Sequence, residues 1–349
     1  MRVTFALLAL GFVAIFVSCT KKGITDAEER YERWIVYTPD NSGLPRSSYG
    51  VVALAIDLQG NIWIGVEVGV GLTEFDGEDW RVYNTRNSGL PDDNVWCLAV
   101  DLQGNLWIGT WGGGLAKFDG ENWIVYKPII DTNITSPPVM WESHVWSIAI
   151  DPWQNVWVGI YNPWANDKYG GLAKFDGKDW KVYDMNNSGL PYDWIDALAI
   201  DLQGNVWVGT YGGGLVKFDG KNWDVYKTSN SELPDNFIRS LVADTQGNIW
   251  IGTRGGLAKF DGQHWSVYST TNSGLPNDDI RSLVIDQSGN VWVGTYGGGL
   301  AKFDGRSWSV YNTSNSGLPD NFIEALTVDI QGNIWVGTCG GLAKYYEEP

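Results

Sequence analysis

The chain repeats itself. A unit of roughly 43 residues recurs seven times from Trp34 onward. A fixed period in that range constrains the fold more than any composition does. Each unit must be one supersecondary element that buries its faces against copies of itself. The tryptophan of an Asn-x-Trp step marks the phase at Trp63, Trp107, Trp157, Trp207, Trp250, Trp292 and Trp335. A second tryptophan opens a Trp-x-Val-Tyr-like step at Trp34, Trp80, Trp123, Trp180, Trp223, Trp265 and Trp308. All fourteen are expected in the core.

Each unit reads as four short strands. Ile195–Asp201 is an apolar run, Asn205–Thr210 follows, then Gly214–Phe218, then Trp223–Tyr226. Runs this short, rich in Val, Ile, Trp and Tyr and bounded by Gly, Asn, Asp and Pro, are strands. Gly204 supplies the left-handed residue of the first turn, and Asp219-Gly220 forms the last. The unit is therefore an antiparallel meander that needs a neighbour on both faces, and radial stacking of such sheets gives a propeller. The predicted fold is an all-β, seven-bladed β-propeller with four antiparallel strands per blade. The pattern begins on a lone fourth strand at Trp34 and ends on a lone third strand at Gly341–Tyr346. The N-terminal strand is thus expected to complete the last blade and close the ring.

The N-terminal segment reads differently. Residues 1–18 have Arg2 ahead of an apolar stretch, Phe5–Val17, too short to span a bilayer, which predicts a signal peptide. Phe16-Val17-Ser18-Cys19 resembles a bacterial lipobox, so Cys19 is the expected lipidation site. Residues 19–33 then form a polar tether and 34–349 the propeller. Thr20 is not the aspartate of inner-membrane retention. The expectation is an exported, lipid-anchored protein facing the periplasm or cell surface, at the outer rather than the inner membrane. Cys97 and Cys339 fall in different blades, and no disulfide is expected. The net charge of −17, with no basic run, argues against nucleic acid as a partner. A monomer without cofactor is expected.

The repeat resembles the two-component regulator propeller repeat. The resemblance is carried by Asp201-Leu202-Gln203-Gly204-Asn205-Val206-Trp207-Val208-Gly209-Thr210, then Gly213-Gly214-Leu215, and their six counterparts. Proteins of that family often form the extracytoplasmic sensing part of hybrid histidine kinases, many responding to polysaccharide fragments. No kinase or later apolar segment is read in this sequence, so ligand binding, with any signalling left to a partner, is the expectation. The repeat also has some likeness to propeller lyases that cleave cyclic depsipeptides with histidine and glutamate. The chain offers only His144, beside Glu142, and His264 in a turn away from the mouth. No catalytic residue is assigned.

Function is sought where the repeat departs from its period. The spacing from Trp107 to Trp157 and from Trp157 to Trp207 is 50 residues, against 42 to 44 elsewhere. The extra residues fall at Lys127–Ser143 and Tyr161–Tyr169, on the end that carries the second-to-third-strand and inter-blade loops. Trp96, Trp111, Trp141, Trp146, Trp164 and Trp194 gather there, with His144 and Tyr161. Blades five to seven offer Arg239, Arg254 and Arg281, with Tyr211 and Tyr296 near them. Aromatic rings stack on the flat faces of sugars, and guanidinium forks hold carboxylates. These residues predict a site for a carbohydrate or other polar small ligand, with an envelope protein as the alternative partner. The pairs Asp92-Asp93 and Asp278-Asp279 read as turn caps rather than a calcium site, and no metal is assigned.

Overall fold

The structure is a computed structural model that describes residues 33–47, 50–66, 69–126, 144–161 and 170–346. It contains seven four-stranded antiparallel sheets and no helix among the described residues. Blade one runs from Val51 to Tyr83, blade two from Val95 to Tyr126, blade three from His144 to Tyr183 and blade four from Ile195 to Tyr226. Blades five and six run from Ile238 to Tyr268 and from Ile280 to Tyr311. Blade seven takes Ile323–Val328, Ile334–Thr338 and Gly341–Tyr345 from the C-terminus and its outer strand, Trp34–Tyr37, from the N-terminus. The innermost strands touch in cyclic order, the last against the first, so the sheets form a closed ring. The closure read from the sequence is the one observed.

The turn between first and second strands explains why Asp, Asn and Trp recur together. Asp201 Oδ1 accepts the backbone N–H groups of Gln203 and Asn205, and Oδ2 accepts from the Asn205 amide and the Trp207 indole at 2.8 and 2.9 Å. One carboxylate thus closes the turn and anchors a buried ring. All seven blades repeat the indole bond, from Trp63 on Asp57 to Trp335 on Asp329, at 2.8 to 3.3 Å. A buried indole N–H left unpaired would cost about 1–3 kcal/mol, which ties the three residue types to one another. Gln154 takes the turn glycine's place in blade three and still adopts a φ of 67°.

Core packing lies between blades. Trp63 and Leu72 of blade one meet Leu106, Ile108 and Phe118 of blade two in one buried cluster. The glycine of each second strand permits that approach: a Cβ on Gly209 would stand 2.6 Å from Ile238 Cγ2. The inner tryptophans are all buried, at 0 to 4% exposure. The outer-strand tryptophans correct the expectation that all fourteen are core residues. Only Trp34 is buried, and Trp80, Trp123, Trp180, Trp223, Trp265 and Trp308 are half-buried. An outermost strand has no further strand beyond it. Its tryptophan packs inward, as Trp80 does on Phe75 at 4.4 Å and on Tyr37 at 5.6 Å, and the rest of the ring stays partly exposed. The Lys of Ala-Lys-Phe also has a structural place, its ammonium standing over the inner indole, as in Lys117 over Trp107 at 5.4 Å.

Candidate functional site at the channel mouth

Every first strand carries a β-bulge at the same position. The register slips between Val51 and Ala53, Val95 and Cys97, Val145 and Ser147, and Ile195 and Ala197. It slips again between Ile238 and Ser240, Ile280 and Ser282, and Ile323 and Ala325. A bulge leaves one residue outside the ladder and re-aims its side chain. The seven residues so released are Val52, Trp96, Trp146, Asp196, Arg239, Arg281 and Glu324. A cavity of about 530 Å³ touches Val52, Trp96, Arg281 and Glu324 at once. Those residues belong to the neighbouring blades six, seven, one and two, so the cavity lies along one sector of the mouth.

A second tier sits above the bulges. In five blades the residue after the second strand donates its N–H to the carbonyl of the residue before the first strand. Trp111 bonds Asn94 in this way, Tyr211 bonds Trp194, Arg254 bonds Phe237, Tyr296 bonds Asp279 and Cys339 bonds Phe322, at 2.9 to 3.3 Å. These bonds fix the side chains that ring the opening.

The predicted site residues that fall among the described residues all meet here. Trp96 lies 5.1 Å from Trp111 and 4.8 Å from Trp146. Trp111 covers His144 at 3.9 Å, and Trp146 reaches Trp194 at 5.6 Å. Trp194 is stacked between Tyr161 and Tyr211, each 4.1 Å away and near parallel. Both faces of that indole are therefore taken. Trp141, Trp164, Cys19 and the two inserted loops, apart from Tyr161, lie outside the described residues.

The arginines differ from the sequence expectation. They were expected to be open to a ligand carboxylate, but two already hold carboxylates of the chain. Arg239 donates to Asp196 at 3.0 Å, and Arg281 pairs with Asp279 at 3.2 Å. Arg239 and Arg281 also lie over the Tyr211 and Tyr296 rings. Arg254 stands over Phe237 at 4.6 Å and donates to the Tyr211 hydroxyl at 3.2 Å. For Arg239 and Asp196 the reason is geometric: their bulge positions in adjacent blades point into one narrow channel, where an unpaired guanidinium would be costly.

Burial sets the protonation of the mouth. It lowers His144 to about 4, against a weaker opposing pull from Asp92, so the imidazole is neutral. Asp196 is raised to about 6 by burial, with Arg239 opposing. Glu324 is raised by burial, with Arg281 opposing. His144 Nδ1 and Trp146 Nε1 are buried without a hydrogen-bond partner. The acidic loop pairs act as caps: Asp93 accepts the Thr85 N–H at 2.7 Å, and Asp278 does the same for Thr270.

Asp196, Phe237, Phe322 and Glu324 were not singled out in the sequence, and Asp279, read there as a turn cap, is instead the partner of Arg281. The signal was present in the column of residues two places into each first strand, where Val, Trp, Trp, Asp, Arg, Arg and Glu stand in seven otherwise similar strands. The far end of the channel holds a different cavity, about 390 Å³, lined by Leu102, Ile150, Pro152, Ile200, Leu202 and Ala243 among others.

Residues 89–112, 232–255, 274–297 and 317–340 match the model of the two component regulator propeller. No curated protein matches the chain. A solved extracellular domain of a protein assigned as a hybrid two component system from B. thetaiotaomicron is 23% identical, with a TM-score of 0.76. That match covers 90% of this chain but 41% of the other, so the chain spans about two fifths of its length. A catalytically inactive virginiamycin B lyase from Staphylococcus aureus, solved with quinupristin, is 12% identical, with a TM-score of 0.69 over 90% of this chain and 99% of the lyase. PorZ, a surface component of the type-IX secretion system of Porphyromonas gingivalis, is 17% identical, with a TM-score of 0.67 over 89% and 47%. At these identities the likeness is one of fold.

Proposed function

This chain carries two component regulator propeller repeats, and from that premise we propose that it is an exported, non-catalytic ligand-binding propeller of the sensor kind. The ligand is an oligosaccharide or another polar small molecule with a flat apolar face. The observation that carries this reading is the continuous arc of Trp96, Trp111 and Trp146 beside a mouth cavity of about 530 Å³. Stacking on such rings is worth about 0.5–1.5 kcal/mol per contact beyond area burial. The extracellular domains that share the fold agree with an exported location. A lipidated Cys19 with a polar tether would hold the propeller at the outer membrane, and mass spectrometry of the envelope-extracted protein checks that modification.

Catalysis has less support. His144 is neutral, buried and covered by Trp111, while His264 lies in an outer turn at the far end, 3.2 Å from Asp261. The test of the binding reading is titration of tryptophan fluorescence with oligosaccharides in the wild type, Trp111→Ala and Trp146→Ala. Loss of affinity in both variants supports the site, and unchanged affinities reject it.

A protein-interaction scaffold of the cell envelope is the second reading. It is favoured by one observation: Leu58, Leu102, Trp153, Leu202 and Ile330 are 60 to 73% exposed on the turns around the far end of the channel. Pull-down from envelope extract, with and without Leu102→Asp and Leu202→Asp, separates it from small-ligand binding at the mouth.

A further inference from the structure

The mouth holds its positive charge in balance. Arg239 is tied to Asp196 and Arg281 to Asp279, Arg254 is engaged by the Tyr211 hydroxyl and the Phe237 ring, and Asp320 and Glu324 line the mouth cavity beside Arg281. Arg239 and Asp196 meet with side chains only 17 and 6% exposed. Arg281 and Asp279 are 23 and 25% exposed. A guanidinium already holding a carboxylate has little left to offer a ligand anion, and an incoming carboxylate would have to displace a partner that is covalently in place. The aromatic part of the mouth is Trp96, Trp111 and Trp146, with the neutral ring of His144, and adds no positive charge. Around all of this the chain carries a net charge of −17, whose field repels anions at a distance.

Building on the ligand-binding reading above, we infer that the mouth selects an uncharged, hydroxyl-rich ligand and rejects acidic ones, and that Asp196 is the residue that sets this specificity by tying Arg239. The aromatic arc stacks the apolar face of the ligand. The paired Asp196 and Arg239 present fixed acceptors and donors at its edge, a combination suited to neutral sugar hydroxyls, which both give and accept hydrogen bonds.

The test uses the full-length mature protein and two classes of probe at equal ionic strength. Neutral hexasaccharides of β-glucan, xylan and mannan form one class, and hexagalacturonate is the other. The wild type is expected to bind its best neutral probe at least about tenfold more tightly than the uronate. Asp196→Asn unties Arg239 and is expected to raise uronate affinity about tenfold, with neutral affinity changed less than about threefold. Asp196→Asn/Arg239→Gln is expected to return the uronate to its wild-type affinity. Asp279→Asn frees Arg281 by the same logic and provides the readout if Asp196→Asn does not fold. A wild type that prefers hexagalacturonate, or folded variants that gain nothing for it, overturns this inference and leaves the binding reading standing. Binding of neither class overturns the binding reading and this inference with it.

Discussion

Trp34, the first residue of the N-terminal strand, stands directly across from Tyr345 of the C-terminal strand, their rings 5.0 Å apart. The pair sits at the seam where the two ends of the chain build one blade. Trp34 also reaches Tyr311 of blade six at 5.8 Å, so the seam is joined to the neighbouring blade as well.

Trp34→Ala is therefore expected to cost about 3–5 kcal/mol, the usual loss for a buried large aromatic. Trp265→Ala, at the equivalent but half-buried position of blade five, is expected to cost less, about 1–2 kcal/mol. Deleting residues 1–38 removes the whole strand and is expected to lower the melting temperature further. Urea and thermal unfolding measure both, and an unchanged melting temperature in the truncation would contradict the closure.

Asp286 accepts from the backbone of Ser288 and Asn290, the Asn290 amide and the Trp292 indole. Trp292 is fully buried, so no water can replace the lost acceptor. Asp286→Ala is expected to cost about 3 kcal/mol or more. Asp278→Ala, which caps one exposed loop at Thr270, is expected to cost about 1 kcal/mol. Chemical denaturation of the two variants checks the contrast.

Gly209→Ala places a methyl group against Ile238 Cγ2 and Cβ, within 2.6 and 2.9 Å. Blade four cannot move away from blade five without opening a closed ring, so a loss of about 2–3 kcal/mol is expected. A melting temperature within one degree or so of wild type would show that the inter-blade contact is softer than its geometry.

Trp194→Ala removes a ring held on both faces, by Tyr161 and Tyr211. It is expected to lower stability by about 2–4 kcal/mol while affecting ligand affinity less than Trp111→Ala does. Calorimetric melting together with fluorescence titration distinguishes this packing role from a direct stacking role.

Asp196 makes stability depend on pH. Its ordinary value is 3.8, and burial raises it to about 6 in the folded protein, where Arg239 and Arg254 face it. Between about pH 4 and pH 6 the folded state keeps a proton that the unfolded chain has lost. Stability from this group is therefore present below pH 4 and is lost as the pH rises through 6. Relative to Asp196→Asn, the wild type is expected to lose on the order of 2 kcal/mol from pH 4 to pH 7. Asp193, also raised to about 6 by burial, titrates in both proteins and cancels in the difference. Urea unfolding at several pH values checks it, and a flat difference would mean that Asp196 stays charged throughout.

The blades were legible because their signals are local. Asp201, Asn205 and Trp207 lie within six residues of one another and form a turn that hydrogen-bonds to itself. The pairing of the Trp34 strand with the last blade could be read too, since a repeat that starts on a fourth strand leaves one fourth strand to complete that blade, whereas the register of Trp34 on Tyr345 came from the structure. The outer tryptophans were misjudged for the opposite reason. Trp34 and Trp80 occupy the same position in the repeat, yet one is buried and the other half-buried.

The sequence by itself determined seven blades, their strands and turns, the closure, and the end of the ring where Trp96, Trp111, Trp146 and Arg239 would gather. Those follow from period, turn chemistry and alternation, which act over a few residues at a time. Only the tertiary structure decided that Trp194 has no free face, that Arg239 is tied to Asp196, and that His144 is buried under Trp111. Arg239 and Asp196 lie 43 residues apart, in different blades, and meet because seven bulges aim seven side chains into one channel. Which of them remain available to a ligand is settled by what lies across that channel, and closing the ring is what brings it there.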